Sequence, residues 1–249
     1  MFEKIALAAA LCATASFATW DKFSVLENHK GEMVVGADFV RLGDSDPMQL
    51  KPYIGSRYTV MPNLELAVLL PYFVNLNKNN DNGLSNPILM ARYQFMPSVN
   101  AFLDVGVPVS HGYNNYSAWV FKFGAQYSQN FGMVDFGAEL GLGVNTRDDN
   151  KVSPPLRLQF GAEADFKLVQ LTPFVGADAL VLFGKFTENG KNVGESLTGE
   201  MAVYPYIGLK YAITPNVTVQ ASAKTALGKE KVIGPDTPIA ADLNFKMSF

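Results

Sequence analysis

Ala241-Asp242-Leu243-Asn244-Phe245-Lys246-Met247-Ser248-Phe249, the last nine residues, alternate apolar and polar without a break and end on an aromatic side chain. Side chains on an extended strand point to opposite faces with a period of two. Ala241, Leu243, Phe245, Met247 and Phe249 therefore share one face, and Asp242, Asn244, Lys246 and Ser248 the other. One face suits lipid or a packed core and the other suits water. An edge strand of a secreted β-sandwich carries the same pattern, so the tail by itself specifies a strand and leaves its setting open.

The front of the chain narrows the setting. Lys4 precedes an apolar run over 5–13, and Ser16-Phe17-Ala18 follows with small residues flanking a bulky one. Residues 1–18 read as a secretory signal peptide, which places the mature start at Thr19. The apolar run falls well short of the roughly 20 residues that a membrane-spanning helix needs. Cys12 is the single cysteine and lies inside this segment, after a bulky Leu11 that argues against lipidation. The exported chain is then expected to hold no disulfide, so its fold must be closed by other means.

Composition excludes further classes. The chain is 48% hydrophobic and 17% charged with a net charge of −3, and acids and bases are spread along it, leaving no basic patch for nucleic acid. Beyond residue 18 no apolar stretch approaches the length of a spanning helix, so a membrane location requires a closed β-barrel.

A repeated layout counts the strands. Tyr58-Thr59-Val60-Met61-Pro62-Asn63, Tyr93-Gln94-Phe95-Met96-Pro97-Ser98 and Tyr211-Ala212-Ile213-Thr214-Pro215-Asn216 each lead into a tight turn. Proline presets the turn dihedral and cannot donate to a ladder, so each copy marks a strand end. Asn130 and Gly132 mark a fourth turn, and Val169-Gln170 a fifth. Longer polar stretches at 43–47, 77–83, 111–115, 146–153, 185–198 and 228–237 alternate with these turns. Short turns on one side and long loops on the other are the layout of an outer-membrane barrel. The expectation is an all-β, single antiparallel transmembrane barrel over 31–249, with residues 19–30 ahead of it as a periplasmic segment or lumen plug. Twelve strands are expected at 31–42, 48–60, 64–76, 84–96, 99–110, 116–128, 133–145, 155–167, 171–183, 199–213, 217–227 and 238–249; one misread hairpin would make ten or fourteen.

When each strand's apolar phase is turned outward, its charges fall on the inner face. The candidate pore-lining residues are Glu32, Asp38, Lys51, Arg57, Glu65, Arg92, Asp104, Lys122, Asp135, Glu139, Arg157, Glu163, Asp178, Lys210, Lys224, Asp242 and Lys246, joined by Asp165; only Arg41, at a strand end, points outward. Arg or Lys facing lipid at mid-depth costs about 2–4 kcal/mol, which is the selection such a segregation reflects. Outward Tyr58, Tyr93, Phe95, Tyr127, Phe166, Tyr211 and Phe249 would form a periplasmic girdle, and Phe39, Tyr72, Trp119 and Phe183 the outer one. Gly137, Gly141 and Gly143 leave one inner wall bare, with space for a pore or for the N-terminal segment.

Catalytic and metal chemistry find little footing. Ser110-His111 sits at an outer strand end, but adjacent strand residues point to opposite faces, which suits proton transfer between them poorly. His29 with Glu27 and Glu32 forms no recognisable site, and Asp148-Asp149 matches no calcium-loop spacing. No catalytic residue, metal or cofactor is expected.

Leu243, Phe245, Met247 and Phe249 resemble the C-terminal assembly signal of Gram-negative outer-membrane β-barrels, in which a terminal Phe closes an alternating strand. Across 19–249 the chain resembles small outer-membrane barrels of the porin-like or transporter-like kind. The resemblance implies residence in the cell outer membrane, with its lipids and the barrel-assembly machinery as partners; no oligomeric state follows from it. The expected function is a narrow passive channel for small solutes. The alternatives are a closed structural or interaction barrel without transport, and a transporter of small apolar compounds, as in the outer-membrane family linked by name to phenol degradation.

Overall fold

A computed structural model describes residues 20–41, 48–76, 82–108, 118–149, 151–233 and 238–249. The proposed signal peptide with Cys12, and the Ser110-His111 pair, lie outside the described residues. Twelve long strands, numbered here in chain order, run over Gly31–Arg41, Met48–Met61, Leu64–Asn75, Ile88–Met96, Val99–Gly106, Val120–Asn130, Val134–Asn145, Leu156–Phe166, Leu171–Phe183, Met201–Thr214, Val217–Thr225 and Ile239–Ser248. Each pairs antiparallel with its sequence neighbours. Strand 12 also pairs with strand 1 in register from Glu32↔Ser248 to Arg41↔Ile239, so the sheet closes on itself. Phe249 completes the seam: its N–H donates to the Gly31 carbonyl and its carbonyl accepts from the Gly31 N–H, both at 2.9 Å. Its ring lies over Gly31, where a Cβ would stand 2.4 Å from it.

The tyrosine-to-proline repeat has a common structure. At all three copies the hairpin register slips by one residue just before the turn, between Thr59 and Met61, Gln94 and Met96, and Ala212 and Thr214. Such bulges bend the strand and raise its twist, which helps a sheet curl into a barrel. Asn63, after the first proline, takes a φ of 70°, a left-handed conformation that asparagine tolerates better than most residues.

Four differences from the sequence reading trace to backbone chemistry. Strand 4 begins at Ile88, not at 84, because Pro87 precedes it; Gly83–Leu84 instead pairs back onto strand 3 at Phe73 and Tyr72. Strand 5 stops at Gly106, ahead of Pro108, and strand 6 starts at Val120. The loops at 146–153 and 185–198 are not wholly irregular, for Val152–Ser153, Phe186–Glu188 and Lys191–Val193 form a small antiparallel sheet. After strand 11, Leu227–Gly228 pairs with strand 10 and one helical turn follows over Glu230–Ile233.

Outward side chains form the apolar band. Met33, Val35, Leu103, Phe123, Phe160, Val175, Ile207, Leu243 and Phe245 are all exposed, and Tyr58, Tyr93, Tyr127, Tyr211, Phe166 and Phe249 ring the end that carries the tight turns. No helix among the described residues is long and apolar enough to cross a membrane. Leu103, in the middle of strand 5, is 43% exposed on the band. Leu103→Arg is expected to cost about 2–4 kcal/mol in urea unfolding of the lipid-embedded barrel, against almost nothing for Leu103→Val.

Candidate functional site

The lumen gathers the chemistry, because the period of two that turns apolar side chains to lipid sends the charged ones inward from every wall. Residues 20–28 run into this space from the tight-turn end. Trp20 Nε1 donates to Glu32 Oε1 at 2.5 Å, and Lys22 Nζ donates to the Tyr206 hydroxyl at 3.0 Å. The Ser24 and Ser128 hydroxyls meet at 2.7 Å. Backbone N–H groups of Val25 and Leu26 donate to Gln94 Oε1 and Glu65 Oε2, and Thr59 Oγ1 donates to the Leu26 carbonyl.

Asp21 stands at the centre of a sealed ionic cluster. Its carboxylate lies 2.8 Å from Arg57 Nη1 and 2.9 Å from Arg92 Nη1. Arg92 Nε donates to Glu65 Oε1 at 2.9 Å, and its Nη1 also reaches the Phe23 carbonyl. Arg57 continues to Glu32 at 3.3 Å. Side chains here are almost wholly buried, Glu65 at 1% and Arg92 at 3% exposure. Burial disfavours the Asp21 carboxylate, yet the guanidinium groups of Arg57 and Arg92 outweigh it and hold Asp21 well below the usual carboxylate range. Burial likewise disfavours the Lys22 ammonium, and Asp178 and its neighbours keep it raised well above its ordinary value.

A second, more open network climbs the opposite wall. Lys210 Nζ bridges Asp165 at 2.5 Å and Glu163 at 3.1 Å. The Tyr206 hydroxyl donates to Glu163 Oε2 at 2.8 Å. Asp178 then takes Lys22 at 2.9 Å and Lys224 at 3.1 Å. Of the other inward charges, Lys122 pairs with Glu139, Arg157 with Asn145, and Asp242 accepts from the Tyr53 hydroxyl at 2.7 Å. Asp104, 1% exposed, keeps one carboxylate oxygen without a protein hydrogen bond. Lys51 sits across the ladder from Asp38, and Lys246 from Val34. Asp135 is apart from the rest, at the rim, in a pair with Lys167.

Apolar side chains line the outer half of the lumen. Ile88, Met90 and Val120 pack with Ala67, Leu69 and Trp20. Across from them Leu180, Leu182, Leu197, Ala202 and Val232 form a second cluster under the helical turn.

Trp20, Asp21 and Lys22 were absent from the sequence-derived lining, since a segment ahead of the first strand has no period to reveal its facing. The glycines held the available signal. A Cβ on Gly137 would lie 2.6 Å from the Lys22 carbonyl oxygen, and one on Gly55 would lie 2.9 Å from the Trp20 ring. Gly141 and Gly143 leave no bare wall, because the Phe102 ring covers the first and the Arg157 guanidinium the second.

Residues 26–231 match the family model described as "Putative MetA-pathway of phenol degradation". An outer membrane channel from Pseudomonas putida F1 superposes with a TM-score of 0.68 at 12% identity, over 93% of this chain and 99% of that one. The translocator domain of the autotransporter NalP from Neisseria meningitidis gives 0.59 at 11% identity, over 98% and 97%. The monoaromatic hydrocarbon channel CymD gives 0.50 at 9% identity, over 90% and 89%. No curated protein matches the sequence. At these identities the shared property is the fold, a closed antiparallel barrel of the outer membrane.

Proposed function

Because the chain belongs to this family linked by name to phenol degradation, and is an outer-membrane barrel whose charges point inward, we propose that it is a narrow passive channel for small solutes. The observation that carries this reading is the manner in which the lumen is filled. Residues 20–26 are held there by the hydrogen bonds and ion pairs quoted above, each involving a side chain, with no strand ladder to the wall. A segment held in this way can open locally without breaking the wall, whose strands are joined in a cooperative ladder. Acids and bases in near-balance along the lumen favour no strong preference between cations and anions.

The two apolar clusters of the outer lumen support a second reading, passage of small apolar compounds. CymD, a monoaromatic hydrocarbon channel, shares the fold. Planar-bilayer recording and liposome uptake with the refolded barrel separate the two. Discrete conductance steps are expected from the channel reading. Uptake of a small apolar compound without ion steps would favour the second, and silence in both assays would leave a closed structural barrel.

A further inference from the structure

The inward side chains are unevenly sealed. On strand 5, Asn100, Phe102 and Asp104 are 1%, 4% and 1% exposed. On strand 11 every inward residue, Thr218, Gln220, Ser222 and Lys224, is only half-buried. The two ionic networks follow the same division, with Asp178 and Lys224 at 27% and 25% against 1% and 3% for Glu65 and Arg92. Contacts of residues 20–26 described above fall on strands 1 to 10, and strand 11 receives none of them. The N-terminal segment therefore touches most of the wall and leaves strand 11 uncovered.

The freed wall is made for water. Gln220 and Asn244 are ladder partners on strands 11 and 12, and each keeps a buried amide oxygen with no protein partner. Amide oxygens left in that state in native proteins are ordinarily met by water. Ser222 and Thr218 add short hydroxyl side chains above and below them.

We infer that the solute path runs along strand 11, between it and the N-terminal segment, and that the Lys22–Asp178–Lys224 bridge is its charge-setting constriction. The inference rests on the channel reading proposed above. Asp178 joins a lysine of the segment to a lysine of the free wall, so it spans the gap that a solute must pass. With Asp178 ionised the site carries one net positive charge between three side chains. Removing that carboxylate leaves two ammonium groups facing the path and raises its preference for anions.

Two measurements test this. Single cysteines are introduced by Ser222→Cys, Thr218→Cys, Thr59→Cys and Ser128→Cys into the chain beginning at Thr19, which has no other cysteine. The folded barrels in liposomes are then treated with the water-soluble thiol reagent sulfonatoethyl methanethiosulfonate. Positions 222 and 218 are expected to react at least about tenfold faster than 59 and 128, which are reached only through local opening. Separately, Asp178→Asn is expected to raise the anion-to-cation permeability ratio, read from reversal potentials in a KCl gradient, by about sixteenfold, because loss of a unit charge at about 5 Å in water favours the anion about fourfold and disfavours the cation about fourfold. Equal protection of all four cysteines, or faster reaction at 59 and 128, would overturn the path. Should Asp178→Asn fail to fold, Lys224→Gln is read in its place, with the opposite shift expected; an unchanged ratio overturns the constriction. Fast labelling at 222 in a barrel without conductance would retain the water-filled groove and refute the channel instead.

Discussion

Deleting residues 20–28 is expected to raise single-channel conductance severalfold while leaving the barrel folded. Twelve strands enclose more space than the eight that side chains fill unaided and less than the sixteen of an open porin, so the contents of the lumen decide its bore. Here Trp20, Asp21, Lys22 and Ser24 supply much of those contents. The deletion removes no strand, because the first begins at Gly31. It does strip Asp21 from Arg57 and Arg92. Water enters the space and solvates the guanidinium faces that Asp21 held, while Arg92 keeps Glu65 and Arg57 keeps Glu32, which limits the cost in stability. Conductance is measured in planar bilayers, with heat-modifiable gel mobility as the check on folding. A folded deletion variant that conducts like the full chain would show that the segment does not limit flow.

Arg92→Ala is expected to be the most damaging single substitution in the lumen, costing about 3–5 kcal/mol in denaturant unfolding, the range for stranding a buried charge. Glu65, at 1% exposure, would keep the Leu26 N–H at 3.1 Å but no cation nearer than Arg57 at 3.7 Å, and Asp21 and the Phe23 carbonyl would each lose a donor. The loss comes from the partners left behind more than from the pair itself. A double variant, Glu65→Leu with Arg92→Met, is therefore expected to unfold closer to wild type than Arg92→Ala alone, since buried ion pairs replaced together by apolar residues often lose little. Equal stability of the single and double variants would mean that packing volume, not charge, governs this cluster.

The wall of the barrel was legible in the sequence, and its contents largely were not. Alternation in segments such as 99–105 and 241–249 fixes which side chains meet lipid, because one face must be apolar throughout. Proline at 62, 97 and 215 fixes where strands turn. Local chemistry of that kind operates within a few residues. The Arg92–Asp21 pair joins residues 71 apart in sequence, and Lys22 meets Tyr206 across 184. No period links such positions, and the decisive hint, a glycine at 137 opposite the Lys22 backbone, is mute until the wall has been assembled. The inward placement of Glu65, Asp178 and Lys224 could be read from strand phase. Which of them would be sealed and which left half-open depended on where the N-terminal segment lies in the lumen.

Closure of the sheet by residues 239–248 sets a condition on how the molecule is made. Strand 12 satisfies the ladder of strand 1 on one edge and that of strand 11 on the other. Until strand 12 is in place, both edges carry unpaired peptide groups that hydrocarbon cannot solvate and that other chains can capture. Strand 1 pairs with the barrel strand farthest from it in sequence, the kind of contact that is slowest to form. The hazard of capture by another chain therefore persists until the final pairing is made, and one strand removes both open edges at once.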